Sequence, residues 1–278
     1  VSCSEEVETT SRYKDAQSTP MTFAVSYPGQ SRATATCFES NDKIGLYVAE
    51  SKAPLEIGGN LVNNEALTYD GSKWEAARTL YWDEAPTTPT LTTHNTGISS
   101  TTDQPFSVAL DQSTPKTATA PGGYEASDLL FATSKDIQAS NSPISLNFKH
   151  IMSKIKIRLI KGEDFEGDML PMPGNHPQHG TSATIDLQAG VATRYVKGTQ
   201  QSIIAHQESD YIYSAIIVPQ RIENRRPLIE VVMKGVSYLY ESRFQFKPGT
   251  EHLVNFIISD NPDQVKIEIG GEIQNWGK

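Results

Sequence analysis

The second half of this chain is built from short segments in which apolar and polar residues alternate. From Ser153 to Leu159 the alternation is strict, so Ile155, Ile157 and Leu159 share one face and cationic side chains share the other. The same pattern returns at Phe244 to Phe246, Val254 to Ile258 and Val265 to Ile269. A period of two residues is the period of a β-strand, not of a helix. The pattern therefore predicts a chain made mainly of β-strands.

Turn residues separate these segments and indicate how they are connected. Lys234-Gly235 stands between an apolar run ending at Met233 and the segment Tyr238–Tyr240, which predicts a β-hairpin. Lys247-Pro248-Gly249 predicts a second turn, because proline and glycine stand where a turn needs them. The run from Tyr211 to Val218 is almost continuously apolar, which is typical of a strand buried on both faces.

The first half carries similar segments with longer connections between them. Candidate strands are Thr22–Val25, Thr34–Phe38, Lys43–Val48 and Leu80–Trp82. Residues 86–122 contain little apolar sequence apart from Phe106–Leu110, so a long mobile or functional loop is expected there. The only helical signal is Glu125–Leu130, which supports one or two turns at most.

Short strands with frequent turn signals indicate an all-β sandwich. The length of 278 residues allows two domains and removes the need for a disulfide scaffold. We expect a polar tether at residues 1–20, an N-terminal β-sandwich domain at 21–142 and a C-terminal β-sandwich domain at 143–278. The boundary is placed near Asn141-Ser142-Pro143.

The charge balance argues against nucleic acid as a partner. The formal net charge is −9, and the nearest approach to a basic cluster, Arg221 with Arg225-Arg226, is interrupted by Glu223. Nucleic-acid binders need concentrated Lys and Arg, so no nucleic acid is expected. No run approaches the roughly 18 apolar residues of a membrane span, so membrane attachment is expected only through a lipid anchor.

The first residues predict such an anchor. Val1 and Ser2 ahead of Cys3 resemble the end of a bacterial lipobox, whose cysteine becomes the acylated first residue of a lipoprotein. The segment that follows, through about Pro20, is polar and aperiodic, as a tether would be. Two alternatives stay open: Cys3 is an ordinary thiol on a disordered terminus, or it forms a disulfide with Cys37.

The sequence contains no convincing catalytic, cofactor or metal motif. Its paired glycines are isolated, and neither Gly-x-Ser-x-Gly nor His-Glu-x-x-His occurs. His176 and His179 are candidate metal ligands, but zinc needs at least three protein ligands, and the prolines and glycines around both histidines indicate an exposed loop. We therefore predict no cofactor, no metal, no catalytic residue and no enzymatic activity.

Cys37 and the tryptophans each have a functional alternative beside a structural role. Cys37 is followed by Glu39 in an alternating segment and lacks the electropositive setting of a reactive thiolate, so a buried structural role is favoured. Trp74, Trp82 and Trp276 could form a sugar-stacking platform with tyrosines, but packing is the favoured role.

A set of motifs in chain order resembles the fimbrillin-like surface lipoproteins of Bacteroidetes, the subunits of donor-strand pili. The sharpest is Phe148 to Lys154, and the set runs from about residue 20 to the end. The others are Thr22-Phe23 with Ser31–Thr34, Lys43–Val48, Tyr69–Trp74 with Tyr81-Trp82, Ala126–Ala132, Ile217–Gln220 and Ile273–Trp276. Where the family usually has Tyr-Trp-Pro, this chain has Tyr81-Trp82-Asp83.

The resemblance implies two tandem transthyretin-like β-sandwich domains, a lipidated cysteine matching Cys3, and assembly rather than catalysis. In this family an Arg-specific protease can cut after an arginine near the start of the first domain, and Arg32-Ala33 is the matching position. Loss of the preceding strand would open a groove for an extended strand of the next subunit. Phe23–Val25 is therefore expected to pair in the uncut chain. The alternative for Arg32 is an ordinary exposed arginine beside a turn.

The function implied is that of a pilus subunit or pilus-associated lipoprotein, surface-exposed on the outer membrane, that contributes to adhesion. Its partners would be other pilus subunits in a head-to-tail polymer, together with a ligand on a host or bacterial surface. The alternative is a surface lipoprotein that binds glycans through aromatic side chains and does not polymerise.

Overall fold

A computed structural model describes residues 19–27, 38–82, 87–93, 98–169, 175–274 and 276. Within these residues almost all of the regular secondary structure is β-strand, which confirms the all-β prediction. The exceptions are one short helix, α1 (Gly123–Ser127), which overlaps the predicted helical segment at residues 125–127, and a 3-10 turn at Pro262–Gln264. None of the described helices has the length and hydropathy that a membrane crossing requires.

The strands are mostly short and mostly antiparallel to their neighbours. Those before residue 150 are β1 (Phe23–Ser26), β2 (Lys43–Glu50), β3 (Val62–Tyr69), β4 (Trp74–Ala76), β5 (Thr87–Thr93), β6 (Gln104–Ser107), β7 (Leu130–Thr133), β8 (Ile144–Asn147) and β9 (Lys149–His150). Those that follow are β10 (Ser153–Lys161), β11 (Asn175–Gly180), β12 (Ser182–Asp186), β13 (Val191–Arg194), β14 (Gln200–Ile204), β15 (His206–Ser209), β16 (Ile212–Ile217), β17 (Gln220–Met233), β18 (Val236–Phe246), β19 (Thr250–Ile258) and β20 (Lys266–Gln274).

These elements fall into two compact units that interleave along the sequence. The first contains the described residues of Val1–Tyr27, Cys37–Gly97 and Ala132–Phe148. The second contains those of Ile98–Phe131 and Lys149–Lys278. The linear domain boundary near Pro143 stays a prediction, as does the transthyretin-like type of the two sandwiches.

The first unit is organised around β2. This strand pairs antiparallel with β3 on one side and β5 on the other, and its interior residues are buried on both faces. Leu46 and Val48 of β2 and Leu67 of β3 are fully buried and belong to the core. Apart from this sheet, β1 pairs with β8, and it does so in parallel.

The second unit contains two larger sheets and a smaller one. Their strand orders are β15-β16-β10-β19-β20, β14-β11-β17-β18 and β13-β12-β6. Phe246 of β18 meets His252 of β19 edge to face, with 6.0 Å between the ring centroids, so aromatic side chains join the two larger sheets. Two sheets that bury their facing side chains in this way form a β-sandwich.

Most of the expected strands and turns of the second half are confirmed. Met233 pairs with Val236 across the Lys234-Gly235 turn, and both turn residues have positive φ, 50° and 78°, as a type I′ hairpin requires. The apolar run at 211–218 forms β16, which lies between two neighbouring strands and is buried from Tyr213 to Ile217.

The long loop expected at residues 86–122 is wrong, because this segment contains β5 and β6. The hydrophobic pattern does not predict β5, because this strand is rich in threonine and contains Pro89. Pro89 has no N–H to donate to the sheet, but its carbonyl accepts a hydrogen bond from the Ser134 N–H at 3.0 Å. Of the strand expected at Thr34–Phe38, all but Phe38 lies outside the described residues.

Candidate functional site

Residues 19–27, here called the N-terminal strap, pair with the rest of the first unit along two edges. At the first edge the Met21 N–H donates to the Leu80 carbonyl at 2.7 Å. The Trp82 N–H donates to the Thr19 carbonyl at 3.1 Å. The strap is thus held by backbone pairing even before it enters β1.

At the second edge, β1 pairs with β8 in parallel register, from Phe23 opposite Ile144 to Ser26 opposite Asn147. The Ile144 N–H donates to the Thr22 carbonyl at 2.8 Å, and the Phe148 N–H donates to the Ser26 carbonyl at 3.0 Å. The expectation that Phe23–Val25 pairs in the uncut chain is therefore confirmed.

The surface beneath the strap is apolar. β8 alternates between buried Ile144 and Leu146 and exposed polar residues, so its apolar side chains point into the first unit. Phe23 and Val25 lie in register with these two residues, and each is half-buried. Met21 is buried more deeply, with 7% of its surface exposed. Burying a side chain of this size is worth roughly 1.5–3 kcal/mol.

An aromatic cluster closes the far end of the strap. The Tyr27 and Phe38 rings meet edge to face at 5.2 Å, and Phe38 in turn contacts Trp74 at 4.8 Å and Phe148 at 5.7 Å. Tyr69 lies against Trp74 at 5.1 Å. The chain therefore leaves this cluster at Tyr27 and returns to it at Phe38.

Four predicted positions fall outside the described residues: Cys3, Arg32, Ala33 and Cys37. Lipidation, processing and the role of Cys37 therefore stay predictions. Arg32 and Ala33 belong to the sequence that connects Tyr27 with Phe38, so both ends of the predicted cleavage region are anchored in one aromatic cluster.

The packing role expected for the three tryptophans is confirmed. Trp74, Trp82 and Trp276 are all buried, and none has more than 7% of its surface exposed. A saccharide cannot stack on a ring that is already covered, so these side chains do not form the alternative sugar-binding platform.

His179 is a core residue and does not lie in an exposed loop. Its Nε2 lies 3.4 Å from the Leu228 carbonyl, and its ring contacts Phe246 edge to face. Burial lowers the pKa of His179 to about 4. Among the described residues, no three or more His, Cys, Asp or Glu side chains are arranged to hold a metal ion.

A buried charge cluster in the second unit departs from the sequence expectation. Alternation along β10 puts Lys154 on the cationic face, yet only 8% of its surface is exposed. Its Nζ lies 3.1 Å from Glu208 Oε1 and 2.9 Å from Glu251 Oε2. Lys156 Nζ binds the other Glu208 oxygen at 2.8 Å, and the Ser214 hydroxyl donates to Glu208 at 2.7 Å.

The neighbours of Lys154 offset the cost of burying its charge. Burial alone would lower the pKa of Lys154, but Tyr124, Glu208 and Glu251 together hold it above its ordinary value. Burial likewise opposes the charge of Glu208, and nearby Lys154 and Lys156 lower its pKa to about 2. Both side chains are therefore charged near neutral pH. Removing any one partner would leave a buried charge without compensation, which is strongly destabilising.

A second cluster joins three of the motifs that carry the family resemblance. His150 Nδ1 lies 2.8 Å from Asp128 Oδ1, and the His150 ring stacks on Trp276 with 3.9 Å between centroids. Asp128 comes from the Ala126–Ala132 motif, His150 from the Phe148–Lys154 motif and Trp276 from the last one. Sequence spacing gave no sign of this meeting, because the three residues are far apart along the chain.

Comparison with solved structures shows the same fold in several bacterial surface proteins. A candidate cell adhesion protein from Bacteroides ovatus has a TM-score of 0.69 at 15% identity, covering 92% of this chain and 97% of its own. A candidate cell adhesion protein from Bacteroides uniformis has a TM-score of 0.68 at 17% identity, covering 92% and 98%. The tip fimbrial protein Mfa3 from Porphyromonas gingivalis has a TM-score of 0.52 at 6% identity, covering 85% and 95%.

No curated protein sequence matches the chain. The family model described as fimbrillin-like matches residues 31–276, which is most of the chain and includes all three residues of the Asp128–His150–Trp276 cluster. This chain therefore belongs to the fimbrillin-like family.

Proposed function

We propose that this protein is a structural, non-enzymatic subunit of a bacterial fimbria, located at the cell surface and contributing to adhesion. Family membership and the fold shared with fimbrial proteins support the general role. The observation that carries the mechanism is the N-terminal strap, a short segment that pairs along two edges of the first unit.

Assembly would proceed by donor-strand exchange, in which a strand of the next subunit replaces the strap. Removing the strap would leave the N–H groups of Trp82, Ile144 and Phe148 and the carbonyl of Leu80 without their present partners. Each such group costs roughly 1–3 kcal/mol when it is buried and unsatisfied. An extended strand can satisfy these groups and cover the apolar surface at the same time, which favours strand addition.

Cleavage between Arg32 and Ala33 would prepare this exchange by cutting the covalent link. While the chain is intact, the strap competes with any incoming strand at an effective concentration in the millimolar range. After the cut, residues 19–27 are held only by hydrogen bonds and apolar contacts, so a donor strand can displace them. Cleavage alone is not expected to expel the strap.

A lipid on Cys3 would place the subunit on the outer membrane before assembly. A single acyl chain binds membranes only marginally, so stable anchoring requires more than one. Growing cells with an alkyne-labelled fatty acid tests this directly. Label should enter the native protein and be absent from Cys3→Ser, and label retained in that variant would disprove the assignment.

The test of the proposed mechanism is digestion with an Arg-specific protease, followed by sizing of the product alone and mixed with uncut subunits. We expect a cut after Arg32 and head-to-tail oligomers once donor subunits are present. Arg32→Gln should resist this cut and stay monomeric, while Arg243→Gln, which alters an exposed arginine on β18, should behave like the native protein.

A peptide of residues 19–27 provides the matched competitor. Added in excess to the cleaved subunit, the peptide should bind where the strap was and suppress oligomers, whereas a scrambled peptide should not. A cleaved protein that remains monomeric with donor subunits, or oligomers that form equally well from Arg32→Gln, would contradict strand exchange.

A further inference from the structure

A β-bulge in β20 opens a hollow on one face of the five-stranded sheet of the second unit. The register between β19 and β20 shifts at Leu253, so Gly270 is an extra residue without a partner. A Cβ atom at Gly270 would lie 3.1 Å from the Leu253 Cβ. Because glycine has no such atom, the space above Leu253 stays open as a hollow of about 170 Å³.

The hollow has an apolar floor and a polar, cationic rim. Ile212 and Leu253 form part of the floor, and Lys156, Arg158 and Asn255 line the side formed by β10 and β19. Arg158 lies in register with both Ile212 and Asn255, so it stands between the two neighbouring strands.

The two cations of the rim differ in how they are held. Lys156 is fixed by its 2.8 Å ion pair with Glu208, which is itself held by Lys154 and Ser214. Arg158 is exposed, and no ion pair engages it within the part of the chain that the structure describes. Its guanidinium can therefore bind a ligand without first breaking an ion pair to a described residue.

Acidic side chains lie on both sides of the hollow, since Glu208 pairs with Lys156 on one side and Glu268 lies on the other. Glu268 of β20 lies in register with Asn255, one strand farther from Arg158 than Asn255 is. Because Glu208 offsets Lys156, the uncompensated positive charge of the rim is that of Arg158. A ligand that fits this hollow would carry an anionic group beside Arg158 and an aliphatic surface over Ile212 and Leu253.

We propose that this hollow binds one carboxylate-bearing sugar residue, with Arg158 pairing with the carboxylate and the ring lying over Leu253. A volume below the roughly 300–1,000 Å³ of ordinary small-molecule sites fits a single ring. None of the lining residues is aromatic, so recognition comes from the charge and not from ring stacking. The inference goes beyond the assembly role and does not require strand exchange.

The test is a titration of the uncut, full-length protein, followed by NMR of the Ile and Leu methyl groups. The probes are glucuronate, neutral glucose of the same ring size, and acetate, which carries the charge without the ring. We expect glucuronate to shift the Leu253 and Ile212 signals with millimolar affinity. Glucose and acetate should bind at least about tenfold more weakly, because glucose lacks the carboxylate and acetate lacks the ring.

Variants at Arg158 distinguish a specific contact between this side chain and the carboxylate from a general effect of the protein's charge. Arg158→Gln should weaken glucuronate binding about fivefold or more, and Arg158→Lys less, because lysine keeps the charge but loses the bidentate geometry. Arg243→Gln makes the same charge change on another strand and should alter binding less than twofold. Arg158 is exposed, so these variants should keep the fold, which the unshifted methyl spectrum would verify.

Several outcomes would overturn the proposal. Equal binding of glucose would show that charge is not recognised, and equal binding of acetate would show that any anion suffices. Unchanged affinity in Arg158→Gln, or no methyl shift at saturating glucuronate, would exclude the site itself. None of these outcomes bears on cleavage at Arg32, so the two proposals fail independently.

Discussion

Lys154 shows what alternation along a strand can and cannot predict. The pattern correctly placed Ile155, Ile157 and Leu159 on the buried face of β10. It could not indicate what covers the opposite face, because that depends on distant sequence. Lys154 Nζ lies 5.7 Å from the centroid of the Tyr124 ring, so helix α1 covers this end of the sheet.

Replacing Lys154 with Met should destabilise the second unit by about 3–5 kcal/mol, because Glu208 and Glu251 would lose a buried counter-charge. Lys156→Met is the matched control, since it lies on the same strand and shares Glu208 but is 30% exposed. The control should cost about 1 kcal/mol or less. Urea unfolding curves measure both values, and equal losses would show that burial does not distinguish the two lysines.

His179 should make folding stability depend on pH in the mildly acidic range. Its pKa is about 4 in the folded protein and 6.5 when unperturbed, so the unfolded chain takes up a proton more readily. Stability is therefore fully present above pH 6.5 and is lost as the pH falls towards 4, by at most about 3 kcal/mol.

His179→Gln removes this titration and should flatten the pH dependence of the free energy of unfolding between pH 7 and 5. Burial also lowers the pKa of His252, so a smaller slope of the same sign should persist. Glu208 does not contribute in this window, because its stabilisation is lost only as the pH falls from 4.5 towards 2. An unchanged slope in the variant would refute the assignment to His179.

Among the elements, those with strong alternation or glycine turns were predictable, and those stabilised by distant partners were not. The β17–β18 hairpin follows from Lys234-Gly235 and its flanking apolar residues. β5 was missed because threonines and Pro89 hide its pattern, although its place beside β2 gives it partners. Pairing of the strap was expected from the family resemblance, whereas its parallel partner β8 was not.

Gly235→Ala should destabilise the β17–β18 hairpin by about 1 kcal/mol, since its φ of 78° strains any residue with a Cβ. Gly58→Ala is the control, because its surroundings are open and its φ is not positive. The control should change the free energy of unfolding by less than about 0.5 kcal/mol. Thermal unfolding distinguishes these results, and a neutral Gly235→Ala would argue against the type I′ turn.

At the scale of the whole molecule, the fold brings residues from motifs that are far apart in the sequence into contact. Asp128, His150 and Trp276 illustrate this, since each belongs to a different motif and His150 contacts both of the others. Family resemblance could mark these residues as a set, but only the fold shows that they touch. The same resemblance predicts a cleavage site at Arg32-Ala33, which lies outside the described residues.

Tryptophan fluorescence should report the state of the strap in the intact molecule. All three tryptophans are buried, so emission should be blue-shifted relative to free tryptophan and poorly quenched by iodide. Cleavage followed by displacement of the strap should shift emission to the red, because the strap pairs with the backbone of Trp82. Trp82→Phe should lose most of this change, and a full change in that variant would place the signal elsewhere.

The pairing of β1 with β8 also has a consequence for the order of folding. Ser26 and Asn147 are 121 residues apart, so this contact has one of the longer loop closures in the first unit. Non-local pairings form late, because closing the loop costs conformational entropy before the contact contributes any stabilising free energy. During synthesis, Phe23–Ser26 therefore emerges long before its partner strand β8. For that interval its backbone groups are open to pairing with another extended strand.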